Sequence, residues 1–347
     1  MAHRREGDWR DRAAAELLVR HLEALELSGS VLVMEDPLPH VGDALAARDL
    51  KVTIWNRRAW RGRPAVPWPP PGPFGVVALR LPRSREETRM ALHAAASVLR
   101  PGGGVLVYGA NDEGIRPAAG LLGQVFSRVR TVAVGGRCRL LQGERGEEIP
   151  ELRGDLESWK ESMVLEHPGL PRSWVSYPGV FSHGELDPGT RLLLGALPAL
   201  PPGGRVLDYG CGSGIIGAMA MARGKGVRAE LLDVDAVALE AARENVPEAP
   251  LHLADGFGKG GRGLYDAILS NPPLHRGKTE DPGMLSTFIR EAPRYLVPTG
   301  ILAFVVQRRF SVEESLRRSF RTVSILGEDR AFRVWEGRGL TQSKRTS

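Results

Sequence analysis

The chain has 347 residues, of which 42% are hydrophobic and 25% are charged, and its formal net charge is +6 at pH 7. These values fit a soluble globular protein, and the length suits two domains better than one. The two cysteines, Cys138 and Cys211, lack metal-site spacing, which argues against a disulfide framework and against a cysteine-based zinc site.

Residues 1–22 are charged and lack the apolar centre of a signal peptide, and no apolar run reaches the length of a membrane span. We therefore expect a cytoplasmic protein with no membrane association and no bound metal. The positive charge, carried mostly by arginine, favours a polyanionic partner. The oligomeric state does not follow from the sequence, although a monomer is favoured.

Strand-like apolar runs alternate with helix-like segments on both sides of a polar, charged stretch. SVLVME and GVVALRL precede that stretch, and RVLDYG and YDAILS follow it. Such alternation predicts parallel sheets with crossover helices, so we expect an α/β protein of two tandem Rossmann-like domains. The expected boundaries are 1–145 for the first domain, 146–165 for a linker, 166–336 for the second domain and 337–347 for a flexible tail.

The two halves also resemble each other. Placing Val31 on Val206 aligns SVLVMEDPLPHVGDALA with RVLDYGCGSGIIGAMA without a gap. Separately, FGVVALRLP (74–82) lies over YDAILSNPP (265–273), and ASVLRPGGGVLVYG lies over PRYLVPTGILAFVV. The pattern predicts a duplicated domain.

A glycine-rich turn stands out in the second half. In RVLDYGCGSGIIG, Asp208 precedes Gly210, Gly212 and Gly214, between an apolar strand and an apolar helix. Glycines there permit positive φ and close approach of a ligand, and the helix start leaves N–H groups unpaired.

Two kinds of cofactor use such a turn. A dinucleotide needs G-x-G-x-x-G and brings a pyrophosphate, but here Ile215 occupies the third glycine position and Asp208 would repel phosphate. S-adenosylmethionine has no phosphate and carries an amino group and a sulfonium cation, which suit a nearby acid. We therefore expect S-adenosylmethionine as the cofactor.

Two further acids follow strands of the same half. AELLDVD places Asp233 at a strand end, where a carboxylate can accept bonds from both ribose hydroxyls; Asp235 is the less favoured alternative. Asp255, after the short strand in HLADGF, is a candidate acceptor for the adenine amine, although it also fits a solvated turn.

SNPPLH (270–275) leaves the next strand through an asparagine and two prolines. Proline cannot donate to a sheet, so Pro272 and Pro273 end the strand and stiffen the corner. The Asn271 side-chain oxygen and the Pro272 carbonyl can each accept one N–H of a planar exocyclic amine, which would aim its lone pair at a methyl donor.

D-x-G-x-G-x-G followed by N-P-P resembles N-methyltransferases of the Rossmann-like superfamily. The whole chain resembles the two-domain bacterial ribosomal RNA guanine-N2 methyltransferases of the small subunit methyltransferase C type, through LRPGGGVLVYGANDEGIRP, YPGVFSHGELDPGTRLLL, the glycine-rich turn and SNPPLH. The resemblance implies methylation of the exocyclic N2 of a guanine in ribosomal RNA, with the small subunit favoured over the large one, and ribosomal RNA or a ribosomal subunit as the partner.

The resemblance also implies site residues. Phe181, Asp187 and Thr190 match a stretch that lies at the family's cofactor and substrate pocket; otherwise they form a loop and a helix N-cap. The family carries an aromatic residue after N-P-P that can stack on a flipped base, whereas this chain has Leu274. Stacking contributes about 1–3 kcal/mol per base in single-strand binders, so we expect Leu274 to bind a flipped base more weakly than an aromatic residue would.

The first half differs at both functional positions. Glu35, Pro37 and Pro39 replace the three glycines, and Arg80 replaces Asn271. We therefore expect the first domain to be degenerate, to bind no cofactor, and to serve structure or RNA recognition. Arginine clusters at residues 57–63, 80–89, 308–309 and 317–321 are candidates for phosphate contacts.

Two other functions remain open at this point. One is methylation of a protein glutamine or a small-molecule amine, because N-P-P by itself also occurs in DNA and protein-glutamine methylases. The other is a non-enzymatic RNA-binding or ribosome assembly factor, which Leu274 makes plausible.

Overall fold

The computed structural model describes residues 9–25, 27, 29–60, 62–257, 264–272, 275–276, 279–280 and 282–341. The chain divides into two compact units: unit 1 is built mainly from the chain up to Lys160, and unit 2 mainly from Glu161 onward. Each unit contains a sheet with apolar side chains packed on both of its faces.

Unit 1 is a mixed sheet covered by four helices within the described residues. In chain order the elements are α1 (Trp9–His21), β1 (Ser30–Met34), α2 (His40–Ala46), β2 (Lys51–Trp55), β3 (Phe74–Arg80), α3 (Arg85–Val98), β4 (Leu99–Ala110), α4 (Ile115–Val125), β5 (Ser127–Gly135) and β6 (Cys138–Glu144). The strand order is β2-β1-β3-β4-β6-β5, with β6 antiparallel to both of its neighbours and the other pairs parallel.

The second half has the same alternation. Its elements are β7 (Glu161–Val164), β8 (Ser173–Ser176), α5 (Pro188–Gly195), β9 (Arg205–Tyr209), α6 (Ile215–Arg223), β10 (Arg228–Asp233), α7 (Ala236–Asn245), β11 (Leu251–Leu253), β12 (Tyr265–Ser270), β13 (His275–Arg276), β14 (Thr279–Glu280), α8 (Pro282–Glu291), β15 (Leu296–Gln307), α9 (Glu313–Arg317), β16 (Phe320–Glu328) and β17 (Phe332–Leu340). The main sheet has the order β11-β10-β9-β12-β15-β17-β16.

The two sheets follow one plan. β1 begins at Ser30 and β9 at Arg205, which is the offset of 175 at which the two halves of the sequence align. β4 and β15 each have 12 residues and occupy equivalent places next to β3 and β12. The described part of unit 1 has no counterpart of β11. The expected fold of two tandem Rossmann-like methyltransferase-type domains is confirmed.

The turn after β1 keeps part of the backbone geometry of the glycine-rich turn but not its glycines. Glu35 has a φ of +59° where Gly210 has +69°. The carboxylate of the buried Asp36 accepts hydrogen bonds from the Leu38 N–H and the Tyr108 hydroxyl, both at 2.8 Å. This turn is therefore occupied by bonds within unit 1.

The position in unit 1 that corresponds to Asn271 is filled by an ion-pair network. Arg80, which is 4% exposed, lies 2.7 Å from the Glu113 carboxylate and 2.9 Å from the Asp11 carboxylate. The Glu113 carboxylate also accepts the Ala110 N–H at 2.9 Å. Arg80 thus ties the end of β3 to the end of β4 and to α1.

We expect Arg80→Met to lower the free energy of unfolding of unit 1 by about 2 kcal/mol. Removing one partner of a buried pair usually costs about 3–5 kcal/mol, and the smaller figure reflects that Asp11 and Glu113 partly reach solvent. Denaturant titration measures the change. The control is Arg128→Met, which breaks the exposed pair with Glu144 and should cost less than about 1 kcal/mol. Equal losses in both variants would contradict the prediction.

The arginine-cluster expectation is wrong for three residues. Arg57 and Arg80 are buried, and Arg58 contacts the Glu87 carboxylate at 2.6 Å. Arg57 lies 3.8 Å from the same carboxylate. A cluster of arginines in sequence does not reveal which members are turned inward to pair with an acid from a distant helix.

The structure also differs from the expected linker and tail. Within 146–165, Trp159 is 2% exposed and stacks with the Arg153 guanidinium at 3.8 Å, and β7 begins at Glu161. Residues 337–340, expected in a flexible tail, complete β17 instead. The linker was missed because one tryptophan supplies the packing of an otherwise polar stretch, and the end of β17 was missed because two of its last four residues are glycines.

Candidate active site

The candidate residues of unit 2 converge because three neighbouring parallel strands end at one edge of the sheet. β10, β9 and β12 lie side by side. Their carboxyl ends carry Asp233, the glycine-rich turn (residues 210–214) and Asn271 respectively. Ligands of open α/β sheets bind at this edge, where the strand order reverses.

The glycine-rich turn requires its glycines. Gly210, Gly212 and Gly214 have φ values of +69°, +54° and +92°, which side chains other than glycine rarely adopt. A Cβ on Gly212 would have no atom within 4 Å, so this part of the turn borders open space. A Cβ on Gly217 would lie 2.4 Å from the Leu231 side chain, so this glycine lets α6 pack closely against β10.

Asp208 is a buried acid with one unpartnered oxygen. The side chain is 0% exposed, and its Oδ2 accepts the Gly217 N–H at 2.8 Å. Its Oδ1 has no hydrogen-bond partner within the described part of the chain. Burial, opposed by the hydrogen bond from the Gly217 N–H and assisted by the nearby Asp233 carboxylate, raises the pKa of Asp208 to about 7. A cationic group beside Oδ1 would stabilise the ionised form.

Asp233 is positioned by backbone donors. Its two oxygens accept the Gly212 N–H at 2.8 Å and the Asp235 N–H at 2.9 Å. Burial and the Asp235 carboxylate raise its pKa to about 6. Asp235 instead caps α7 by accepting the Val237 N–H at 2.9 Å. The two aspartates, hard to separate in sequence, therefore have different local roles.

These features fit S-adenosylmethionine. The unpartnered Asp208 oxygen suits a cation, and the open space at Gly212 leaves room for close approach of a ligand to the backbone. Asp255 is exposed just after β11, the edge strand beside β10. Tyr209 and Phe257, whose rings lie 4.4 Å apart, add apolar surface near the end of β9.

Asn271 is held by residues from the start of α5. Its Nδ2 donates to Asp187 Oδ2 at 2.9 Å and to Thr190 Oγ1 at 3.0 Å. The preceding Ser270 donates its hydroxyl to the Tyr209 carbonyl at 2.7 Å, which fixes the end of β12 against β9. Pro272 is buried. The candidates Pro273 and Leu274 lie outside the described residues.

The structure thus joins Asp187, Thr190 and Asn271 directly by hydrogen bonds. Phe181, the other candidate in this stretch, lies between β8 and α5 and is 61% exposed. It is placed to offer an aromatic face to solvent rather than to the core.

Sequence reasoning missed three residues near the site, namely Trp174, Ser213 and Asn245. Trp174 donates its indole N–H to Ser213 Oγ at 2.9 Å. Asn245 accepts the Val175 N–H at 2.8 Å and donates to the Ser213 carbonyl at 3.0 Å. Together they fasten β8 to the glycine-rich turn. An asparagine at a helix end is typical of a cap, which hid this role.

The described residues contain neither a metal-binding cluster nor a membrane-spanning helix. No group of three or more His, Cys, Asp or Glu side chains among them is arranged to hold a metal ion. None of the helices in the described ranges is both long and apolar enough to cross a membrane.

Comparisons with known proteins agree with this architecture. The family described as "Methyltransferase small domain" matches residues 172–336, and "Methyltransferase small domain N-terminal" matches residues 15–162. The ribosomal RNA small subunit methyltransferase C of Stutzerimonas stutzeri is 37% identical over 77% of this chain and 80% of its own length. That of Pseudomonas aeruginosa is 36% identical over 78% and 80%.

A solved structure has the same two-domain fold. It is the T. thermophilus 16S rRNA N2 G1207 methyltransferase in complex with AdoMet and guanosine, with a TM-score of 0.78 and 22% identity over 94% of this chain and 91% of that one. Fold and site together define a Rossmann-like, S-adenosylmethionine-dependent methyltransferase. Within that class, the chain belongs to the ribosomal RNA small subunit methyltransferase C family.

Proposed function

We propose that this protein transfers a methyl group from S-adenosylmethionine to the exocyclic N2 of a guanine in ribosomal RNA of the small subunit. The proposal is supported mainly by the side-chain amide of Asn271, which two hydrogen bonds fix beside the glycine-rich turn. Both of its described hydrogen bonds use Nδ2 as donor, which leaves Oδ1 as the acceptor for a substrate N–H.

The chain's own contribution is mainly positioning. The lone pair of a guanine amine is delocalised into the ring, so the amine is a poor nucleophile. Asn271 Oδ1 and the Pro272 carbonyl would each accept one of its N–H groups and turn the lone pair toward the methyl donor. Holding reactants in this way can supply a large part of a rate enhancement without a strong base.

The cofactor would lie along the three strand ends. Asp208 and the glycine-rich turn would hold its amino-acid end, Asp233 its ribose hydroxyls, and Asp255 its adenine amine. When bound, S-adenosylmethionine supplies an electrophilic methyl group on a sulfonium.

The target base must leave its stack to reach Asn271. Leu274 replaces the aromatic residue that the family usually carries after N-P-P, so this position offers no π-stacking to the base. Phe181 is an exposed aromatic residue of the same unit, and we propose that it lies at the substrate side of the pocket.

We propose that unit 1 contacts RNA through a cleft rather than through its buried arginines. The cleft has a volume of about 640 Å³, and Arg100, Arg128 and Arg130 line it together with Glu144. All three arginines are exposed. Arg128 pairs with Glu144 at 2.9 Å, and Arg130 donates to the neutral Gln142 at 2.7 Å, so the lining retains a positive charge. Guanidinium groups suit the phosphates of RNA.

A double substitution tests the cleft. Arg100→Ala with Arg130→Ala should weaken RNA binding about tenfold and reduce the salt slope of log K by about one for each phosphate that is no longer neutralised. Filter binding at several salt concentrations measures both quantities. Arg116→Ala, an exposed arginine outside the cleft lining, is the control for charge. An unchanged slope in the double variant would exclude the cleft as a phosphate site.

The setting of the reaction follows from its substrate. We propose that the protein works in the cytoplasm as a monomer, because bacterial ribosomal RNA is made and assembled there and the described residues of the site all belong to one unit of one chain. Light scattering of the purified protein tests the monomer, and a dimer would contradict it.

The decisive experiment is methyl transfer from labelled S-adenosylmethionine to undermethylated small subunits, large subunits and bare ribosomal RNA, followed by digestion to nucleosides. Label in N2-methylguanosine from the small-subunit fraction supports the proposal. Label in protein or in small molecules alone would favour a glutamine or small-molecule methylase. RNA binding without turnover would favour an assembly factor.

A further inference from the structure

The side-chain amide of Asn271 donates hydrogen bonds to two side chains that lie 81 and 84 residues earlier in the chain. Asp187 and Thr190 both accept from the same nitrogen, and Thr190 is 6% exposed. We propose that Asp187 and Thr190 are positioning residues for the Asn271 amide: Asp187 determines which end is presented to the substrate amine, and Thr190 holds the amide in that orientation. The proposal rests on the function proposed above and changes the role expected of both residues, which the sequence assigned to the cofactor and substrate pocket.

The charge of Asp187 sets the direction of the amide. An ionised carboxylate only accepts hydrogen bonds, so the NH₂ group of Asn271 must face it. Reversing the amide would remove the bond to Asp187 and bring its carboxylate oxygen against the amide oxygen. It would also present a donor to a substrate that itself donates. Only the observed orientation leaves an oxygen for the substrate N–H. The Thr190 hydroxyl can donate as well as accept, so Asp187 sets the direction of the amide and Thr190 holds it there.

The two acceptors belong to a rigid element. Asp187 is the N-cap of α5, and its Oδ2 accepts the Thr190 N–H at 2.7 Å as well as the Asn271 Nδ2. Pro188 occupies the start of the helix. A Cβ on Gly189 would lie 3.2 Å from the Phe332 ring, so the first turn of α5 packs closely on β17. A site whose orienting groups are fixed by packing holds its geometry well.

The two roles of Asp187 can be separated by mutation. Asp187→Ser keeps a good N-cap for α5 but is too short to reach Asn271. Thr190→Val keeps the shape and the backbone N–H of residue 190 and removes only the hydroxyl acceptor. Thr190→Ser keeps that acceptor and is the conservative rescue.

The kinetic test compares kcat with KM and with cofactor affinity. Thr190→Val should lower kcat about tenfold and Asp187→Ser about 10- to 100-fold, because a loosened amide misplaces the substrate amine. KM for RNA and the Kd of S-adenosylmethionine should stay within about twofold of the parent protein, and Thr190→Ser should restore kcat. Ser84→Ala removes the N-cap of α3 in unit 1 and should leave kcat unchanged. A loss of cofactor affinity with unchanged kcat would overturn the proposal.

A second readout does not depend on activity. In ¹⁵N-labelled protein, the side-chain amide signal that disappears in Asn271→Ala belongs to Asn271. Its protons should exchange slowly in the parent and at least about tenfold faster in Thr190→Val, because one acceptor is removed. Fast exchange in the parent, or equal exchange in both, would overturn the positioning role. Slow parental exchange without methyl transfer to any RNA would instead overturn the proposed function alone.

Discussion

Asn271→Ala should lower the rate constant of methyl transfer about 10³-fold while leaving cofactor affinity within about twofold. The variant removes the side-chain acceptor that positions the substrate amine and leaves the Pro272 carbonyl in place. Asp208, the glycine-rich turn and Asp233 do not hydrogen-bond to Asn271, so the residues expected to hold the cofactor keep their contacts. Single-turnover kinetics with RNA and calorimetry with S-adenosylmethionine measure the two quantities separately.

A matched asparagine serves as the control. Asn111 lies in unit 1 and accepts a hydrogen bond from Arg139 at 3.0 Å. Asn111→Ala should therefore leave both the rate constant and the cofactor affinity unchanged. If Asn271→Ala abolished cofactor binding instead, Asn271 would be a cofactor ligand and the mechanism proposed for the amine would be wrong.

The fold could be predicted because its signals are local. β3 is buried along its whole length and β12 along nearly all of it, so both appear as continuous apolar runs. The glycine-rich turn could be predicted because three positive φ values in five residues leave few alternatives to glycine. The offset of 175 between the halves followed from the apolar runs of β1 and β9.

The remaining features depend on contacts between distant parts of the chain. The sequence around Arg80 does not show that Asp11 and Glu113 neutralise it. Arg80, which occupies the position in unit 1 that corresponds to Asn271, was therefore predicted to contact RNA. Similarly, Asp187 and Asn271 are 84 positions apart, and their hydrogen bond follows only from the packing of α5 on β15 and β17, which brings the start of α5 to the end of β12. Local pattern identified these residues as important, but it did not identify their partners.

Replacing the buried acid Asp208 should change both affinity and stability. In the cofactor-free protein its pKa is about 7, whereas binding a cation favours the ionised form. Cofactor affinity should therefore rise about 20-fold between pH 5.5 and pH 7.5, because a proton is displaced on binding below the pKa. Asp208→Asn should lower affinity about 100-fold at pH 7.5, since hydrogen bonds to charged groups are worth about 1.5–3 kcal/mol.

The stability of the cofactor-free protein should respond in the opposite direction. The folded-state pKa of Asp208 lies above its ordinary value of 3.8, so its protonation stabilises the fold fully below about pH 4, and that contribution is lost as the pH rises through about 7. Asp208→Asn, which cannot ionise, should therefore raise the free energy of unfolding at pH 8 by up to about 4 kcal/mol, because the pKa is raised by about three units from 3.8 and each unit corresponds to about 1.4 kcal/mol.

Calorimetric titration with S-adenosylmethionine and denaturant unfolding across this pH range measure both effects of Asp208→Asn. The control is Asp266→Asn, because Asp266 accepts the Arg205 N–H at 2.8 Å at the opposite end of the sheet. This control should retain the pH dependence of cofactor binding. If Asp208→Asn destabilised the protein at pH 8 and kept the parental pH dependence, Asp208 would be a structural acid. If Asp208→Asn raised the stability at pH 8 and lowered the cofactor affinity, the Asp208 carboxylate would be a buried charge that destabilises the fold and binds the cofactor.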